Sequence, residues 1–123
     1  MSNNITRVQD LTVWQRGFQL VKAVYILTEK FPREERFGMT SQLRRAAVSI
    51  PANIAEGFGR KSRRDFARFS SIALGSAREL ETLLLLAVEI NLTTRPLAQE
   101  CISLNDECCR MLNVMRFNLA TNV

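Results

Sequence analysis

The stretch 63–91 contains no proline, and apolar residues recur along it in steps of three and four. These residues form one apolar seam along the predicted helix, which comprises Phe66, Phe69, Ala73, Ala77, Leu80, Leu84 and Ala87. A second apolar row, with Leu83, Leu86 and Ile90, lies on another side, and residues 83–88 are apolar all round. A helix of this length measures about 43 Å, and two apolar faces need other helices to cover them. The sequence therefore predicts a helical bundle in which this helix is central or buried between subunits.

The first predicted helix spans residues 11–31. Asp10 is in position to cap its start, and Pro32 predicts its end because the residue before a proline is disfavoured in the α region. Two adjacent apolar rows run along it, one with Trp14, Phe18, Val21, Tyr25 and Thr28, the other with Val13, Gly17, Leu20, Val24, Leu27 and Phe31. We expect the two rows together to form the core face, with Trp14 largely buried.

The second predicted helix spans residues 41–58 and begins at a capping Thr40 or Ser41. Pro51 lies inside it and predicts a kink, because proline removes a backbone donor. Small residues make this helix slim, so that a neighbour can approach it closely.

The remaining helix boundaries also carry capping signals. Ser62 followed by Asp65 resembles a capping box at the start of the helix over 63–91. Thr94 caps the last helix, 95–120. Its apolar seam comprises Leu97, Cys101, Leu104, Cys108, Met111 and Met115.

Four helices joined by short loops predict an all-α fold, an antiparallel up-down-up-down four-helix bundle that forms a single domain over 1–123.

The composition excludes several classes of function. The absence of histidine removes the commonest metal ligand and the commonest general base. Three cysteines are too few for a four-thiolate zinc site, and Cys101 and Cys108 share a helix face where thiols pack in a core. We therefore expect no metal, no cofactor and no enzymatic activity.

The run 83–88 is far shorter than the roughly 18 residues of a membrane span, and the first ten residues hold no apolar signal segment. We expect a cytoplasmic protein without membrane contact.

A polar group inside the second helix has two interpretations. Ser49, Asn53 and Glu56 recur at helical spacing and could form a site. No base accompanies Ser49, however, and Glu56 has no second carboxylate, so nucleophilic and paired acid–base chemistry both lack a component. The structural alternative is that these side chains bind the backbone disturbed by Pro51, and that Glu56 pairs with Arg60.

Positive charge is concentrated in one region of the chain. Residues 36–78 hold nine Arg or Lys against two acidic residues, a local excess of +7 within a net charge of +5. Such regional basicity favours anionic partners. The predicted nucleic-acid contacts are Arg44, Arg45, Arg60, Lys61, Arg63, Arg64 and Arg68. The alternative is a solvated basic surface, and Phe58 is the only stacking platform that we expect beside the cluster.

Several segments resemble one family of four-helix bundle proteins. They are DLTVWQ (10–15), FPREERFG (31–38), SQLRRAAVSIPANIAEGFGR (41–60) and FSSIALGSARELE (69–81). Together they resemble, in register over residues 10–90, the 23S rRNA intervening-sequence proteins. The most specific signature is SIPANIAEG, which contains Pro51, Asn53, Glu56 and Gly57 as its structural motif.

This resemblance implies assembly into a homopentamer. A related branch, the accessory variability determinants of retroelements, associates with nucleic acid and with a reverse transcriptase, so RNA, DNA and a reverse transcriptase are the implied partners. Two functions follow as hypotheses. The first is an oligomer that binds the nucleic-acid backbone. The alternative is a protein-interaction scaffold whose arginines only keep it soluble.

Overall fold

The computed structural model describes residues 5–121, and four long helices account for most of them. These are α1 (Thr12–Thr28), α2 (Met39–Gly59), α3 (Arg63–Glu89) and α4 (Arg95–Thr121). Short 3-10 turns precede α1 and α2, at Val8–Asp10 and Arg33–Glu35. No strand occurs in the described part, which confirms the predicted all-α class and its four helices. The ends of the predicted domain, residues 1–4 and 122–123, lie outside the described residues.

Each helix packs against two neighbours, in the cyclic order α1, α2, α3, α4. Side-chain contacts give the directions of the pairs. Gly17 of α1 lies against Pro51 of α2, whereas Thr28, later in α1, bonds Arg44, earlier in α2. The same inverse numbering relates α3 to α4, where Ala77 meets Asn105 and Arg63 meets Asn118. Neighbouring helices are therefore antiparallel.

The core is drawn from all four helices. Its fully buried large apolar side chains are Leu20, Val24, Leu43, Ile50, Ile54, Leu80, Leu84 and Leu112. Fully burying a side chain of this size contributes about 1.5–3 kcal/mol. The helix α3 has the most extensive contacts, with α2 on one side and α4 on the other.

On α1, one of the two predicted apolar rows is buried throughout and the other only in part. The row containing Leu20 and Val24 is buried, whereas Phe18 is 51% and Tyr25 41% exposed. Trp14, which was predicted to be largely buried, is partly buried and packs against the core. Its ring is half-buried and stacks on that of Phe18 with centroids 5.0 Å apart. Two rows together span a wider arc of the helix than two neighbouring helices can cover, so Phe18 and Tyr25 stay at the surface, although Thr28 of the same row is buried.

The ends of the first two helices also depart from the predictions. Asp10 belongs to a 3-10 turn and does not cap α1, whose N-cap is Leu11 in extended conformation. The helix then ends at Thr28, before Pro32 can act on it. The start of α2 is capped from outside, since the backbone N–H of Met39 donates to the Glu35 carboxylate at 3.1 Å.

The capping predictions for the last two helices are confirmed. The Ser62 hydroxyl accepts from the Asp65 N–H at 3.2 Å, and the Thr94 hydroxyl accepts from the Leu97 N–H at 3.4 Å. In α2, the helix continues through the buried Pro51 as far as Gly59.

The core face of α4 is rotated by about one residue from the predicted seam. Cys101 and Cys108 are buried as expected, but Leu97 is 54% exposed, and Leu104 and Met111 are only partly buried. Their places are taken by Ala98, Asn105 and Leu112. Asn105 is polar and does not belong to the predicted seam. Its Nδ2 donates to the Ala77 carbonyl at 2.9 Å, which allows the amide to lie in the core.

Candidate nucleic-acid interface

Five of the seven predicted basic residues lie close together where α2 ends and α3 begins. They are Arg60, Lys61, Arg63, Arg64 and Arg68, hereafter the turn cluster. The chain leaves α2 at Gly59, and Lys61 adopts a left-handed conformation with φ of 61°. Ser62 is extended and caps α3. Because the chain reverses over only three residues, basic side chains from the turn and from α3 converge at one end of the bundle.

Two arginines of the turn cluster lie over the same aromatic ring. The guanidinium carbons of Arg60 and Arg68 are 5.1 and 4.5 Å from the centroid of Phe69. The Nε of Arg60 also donates to the Glu56 carboxylate at 3.0 Å, which confirms the predicted pair. Exposed cation–π contacts contribute about 0.5–1 kcal/mol each. Together these contacts hold the side chains of Arg60 and Arg68, which are exposed and would otherwise be flexible, at defined positions.

The rest of the turn cluster is almost free of acidic partners. Arg63 donates to the backbone carbonyl of Asn118 at 3.0 Å, a neutral acceptor. Within residues 5–119, neither Lys61 nor Arg64 makes an ion pair, and both are exposed. The turn cluster therefore contains one ion pair among the described residues, that of Arg60, and most of its positive charge is not neutralised.

The other two predicted residues lie elsewhere. Arg44 and Arg45 are about 22 Å from Arg60 along α2, at 1.5 Å per residue. The Nε of Arg44 donates to the Thr28 hydroxyl at 2.8 Å, and its guanidinium lies 4.3 Å from the Tyr25 ring centroid. Arg45 is exposed. The seven residues thus form two basic groups on one protomer, of which the turn cluster is the larger.

The signature residues of α2 form a polar contact between helices. Asn53 Nδ2 donates to the carbonyl and the hydroxyl of Ser49, at 2.8 and 2.9 Å. The Ser49 hydroxyl is in turn 2.7 Å from that of Ser76 on α3. A hydroxyl and an amide are not general bases, so this arrangement does not activate Ser49. The contact instead ties α2 to α3 next to the buried Pro51.

The cysteines lack the features of a reactive or metal-binding site. Burial raises the pKa of the Cys101 thiol from an ordinary value of 9.0 to about 11, and that of Cys108 to about 12. Burial likewise raises the pKa of Cys109. Thiolates, the reactive and ligating form, are therefore disfavoured at neutral pH. Within the described residues, no three Cys, Asp or Glu side chains group as metal ligands would.

The sequence did not indicate the aromatic partners of the arginines. Phe58, the expected platform, packs edge-on against Phe66 with centroids 5.9 Å apart. Phe69 and Tyr25 carry arginines instead, although both had been assigned to core seams. Their spacing in the apolar rows indicated burial. A ring at the edge of a core face keeps one side exposed, however, and an arginine can lie over that side.

Comparisons with known proteins agree with this fold. A sequence model of the family described as 23S rRNA-intervening sequence protein matches residues 9–114. A crystal structure from Bacteroides thetaiotaomicron, described as a protein of unknown function from the S23 ribosomal protein family, is similar with a TM-score of 0.76 and 26% identity. The similarity covers 85% of this chain and 98% of that one. Comparison with curated protein sequences gives no significant match. Within residues 5–121, no helix has both the length and the apolar character to cross a bilayer.

Proposed function

The chain belongs to the 23S rRNA-intervening sequence protein family, and we propose that it is a non-enzymatic homo-oligomer that binds the phosphate backbone of RNA or DNA. The observation that carries the proposal is the turn cluster, where five basic side chains meet and one ion pair is formed. Arginine suits this role because its planar fork of donors matches phosphate geometry.

The arrangement of the cluster favours backbone contact over reading of sequence. Two of its guanidinium groups are held over Phe69, Arg63 and Arg64 lie in the first turn of α3, and Lys61 lies in the turn before it. Phosphate contacts carry no sequence information of their own. Affinity should therefore depend on salt concentration and hardly on sequence.

Exposed apolar side chains on α3 support the assembly into oligomers. Leu85 and Leu86 are each 45% exposed, and Ile90 is 53% exposed. On α1, Phe18 and Ile26 are 51% and 61% exposed. A single protomer leaves these side chains in water, and their burial between subunits would be favourable. Each copy would add a turn cluster, so weak contacts per subunit combine through multivalency.

The decisive experiment compares two variants that lose the same amount of charge. In the first, Arg60, Lys61, Arg63 and Arg64 are replaced by Ser. In the matched control, four exposed basic residues outside the turn cluster, Lys22, Lys30, Arg33 and Arg95, are replaced by Ser. Binding to unrelated RNA and DNA oligonucleotides is measured by fluorescence anisotropy from about 50 to 200 mM salt, with circular dichroism as the check on folding.

We expect the first variant to lose affinity for all oligonucleotides about equally and to show a shallower salt slope. The control should keep most of its affinity. Absence of wild-type binding at about 50 mM salt would contradict a nucleic-acid role. Equal loss in both variants would show that net charge, and not the turn cluster, is responsible.

A protein-interaction scaffold is the second candidate, favoured by one observation. Phe37, in the α1–α2 loop, is 86% exposed, and Arg36 lies 4.8 Å from its ring centroid. An aromatic anchor with an adjacent arginine is typical of protein interfaces. A Phe37→Ser variant separates the two roles. If it loses a protein partner but binds nucleic acid as the wild type does, the scaffold role is independent of nucleic-acid binding.

A further inference from the structure

A cavity of about 690 Å³ opens between the α2–α3 turn and the C-terminal half of α4. Its apolar walls include Phe58, Phe66, Met111, Val114, Met115 and Leu119. This volume lies within the roughly 300–1,000 Å³ of small-molecule sites. Methionine side chains are flexible and polarizable, and therefore adapt to a chain without a fixed shape. The cavity thus has the size and lining that suit an elongated apolar group.

The polar groups of the cavity are few and mainly cationic. They are Arg63, Arg110 and Asn118. Arg110 pairs with Asp106, whereas Arg63 donates only to the neutral Asn118 carbonyl, at 3.0 Å. An adjoining recess of about 380 Å³ shares Arg63 and adds Lys61. No acidic side chain lines either space among the described residues. The mouth of the cavity is therefore complementary to a negative charge.

We propose that this cavity binds a free long-chain carboxylate, with its alkyl chain along the apolar wall and its carboxylate on Arg63. The lining accounts for the chain, because burial of each methylene contributes about 0.8 kcal/mol. The guanidinium of Arg63 accounts for the head group, because it can donate to both carboxylate oxygens. This binding goes beyond the proposed function and does not depend on it, although Arg63 belongs to both sites.

The first test uses the wild-type protein and varies the ligand alone. A dansyl-labelled undecanoic acid serves as the fluorescent probe. Dodecanoate, dodecanol and dodecylammonium compete with it, the two ionic ligands below their micelle concentrations and dodecanol below its solubility limit. We expect saturable probe binding, and displacement by dodecanoate at least about tenfold better than by dodecanol, because a charge-assisted hydrogen bond is gained. Dodecylammonium should be the weakest. Absence of saturable binding, or equal displacement by all three, would overturn the proposal.

The second test locates the bound chain. Val114→Trp should fill the cavity and weaken probe binding about tenfold or more, with little effect on folding because Val114 is 59% exposed. The control is Leu97→Trp on the same helix, since Leu97 is 54% exposed and about 25 Å away along α4. That variant should bind like the wild type. Equal effects of both substitutions would contradict the assignment.

The third test concerns the head group and other occupants. Arg63→Gln should reduce the preference for dodecanoate over dodecanol, and Arg63→Lys should restore part of it by keeping the charge. An unchanged preference in Arg63→Gln would overturn this role of Arg63. If the wild type takes up no probe while Val114→Trp lowers the assembled mass in light scattering, the cavity is filled by a second copy and the proposal fails.

Discussion

A Cβ atom on Gly57 would lie 2.7 Å from the Cβ of Phe69, so α2 and α3 approach at a distance that only glycine permits. The same Cβ would lie 3.2 Å from Cδ1 of Phe66. This approach brings the Phe69 ring under Arg60, which directly follows α2. The close contact of two helices thereby determines where the turn cluster presents its charge.

Replacement of Gly57 by Ala should lower the free energy of unfolding by about 1–3 kcal/mol, because the added methyl overpacks the contact. The higher helix propensity of alanine, about 1 kcal/mol, offsets only part of this. Gly75 provides the control. It lies in α3 with nothing within 4 Å of its Cβ position, so Gly75→Ala should stabilise. Urea denaturation of both variants measures the difference, and equal effects would contradict the close approach.

Replacement of Trp14 by Ala should destabilise less than its size suggests. A fully buried tryptophan would give a loss of about 3–5 kcal/mol, but Trp14 is half-buried and stacks on an exposed Phe18. We expect a loss of about 2 kcal/mol. Leu20→Ala, at a fully buried position, should be at least as destabilising. Thermal melts monitored by circular dichroism compare the two. A larger effect at Trp14 would indicate that its outer face is covered, as a subunit interface would do.

Helical periodicity was sufficient to predict the number of helices and the start of α3, because its seam is long and Ser62 caps it locally. It could not predict which row of α1 faces inward, since Trp14 and Leu20 are both apolar and the choice depends on neighbouring helices. Asn105 was missed for a related reason. Its burial requires the Ala77 carbonyl of another helix, and no local pattern shows that partner.

The candidate site was predictable in composition but not in arrangement. The residues of the turn cluster are close together in the sequence, so a count of charged residues along the chain was enough to locate them. The distance between the turn cluster and Arg44 and Arg45 follows from the length of α2. The shared contact of Arg60 and Arg68 with Phe69 depends on the packing of two helices, which spacing alone does not specify.

Stability should decrease in alkaline solution through the buried thiols. The pKa of Cys101 is raised to about 11 and that of Cys108 to about 12, from 9.0. The native state therefore holds these protons more tightly than the unfolded chain. Their contribution is fully present below pH 9.0 and is lost as the pH rises through the folded-state values. Tyrosine and lysine also titrate there, so the measurement is the difference in pH slope between wild type and Cys101→Ala/Cys108→Ala. A slope unchanged by the double substitution would contradict the effect.

Leu86 and Leu83 differ in burial on the same helix, and arginine at the two positions should have different effects. Leu83 is 7% exposed, so Leu83→Arg buries an unpaired charge and should unfold the protomer. Leu86 is 45% exposed, so Leu86→Arg should keep its helicity but lower the assembled mass, because the charge would lie between subunits. Gln19→Arg adds the same charge at an exposed polar position and serves as the control. Light scattering at micromolar concentration, with circular dichroism, distinguishes these outcomes. A wild type that measures 14.0 kDa would refute the oligomer itself, and an unchanged mass for Leu86→Arg would place the interface on another face, with the exposed row of α1 as the next to test.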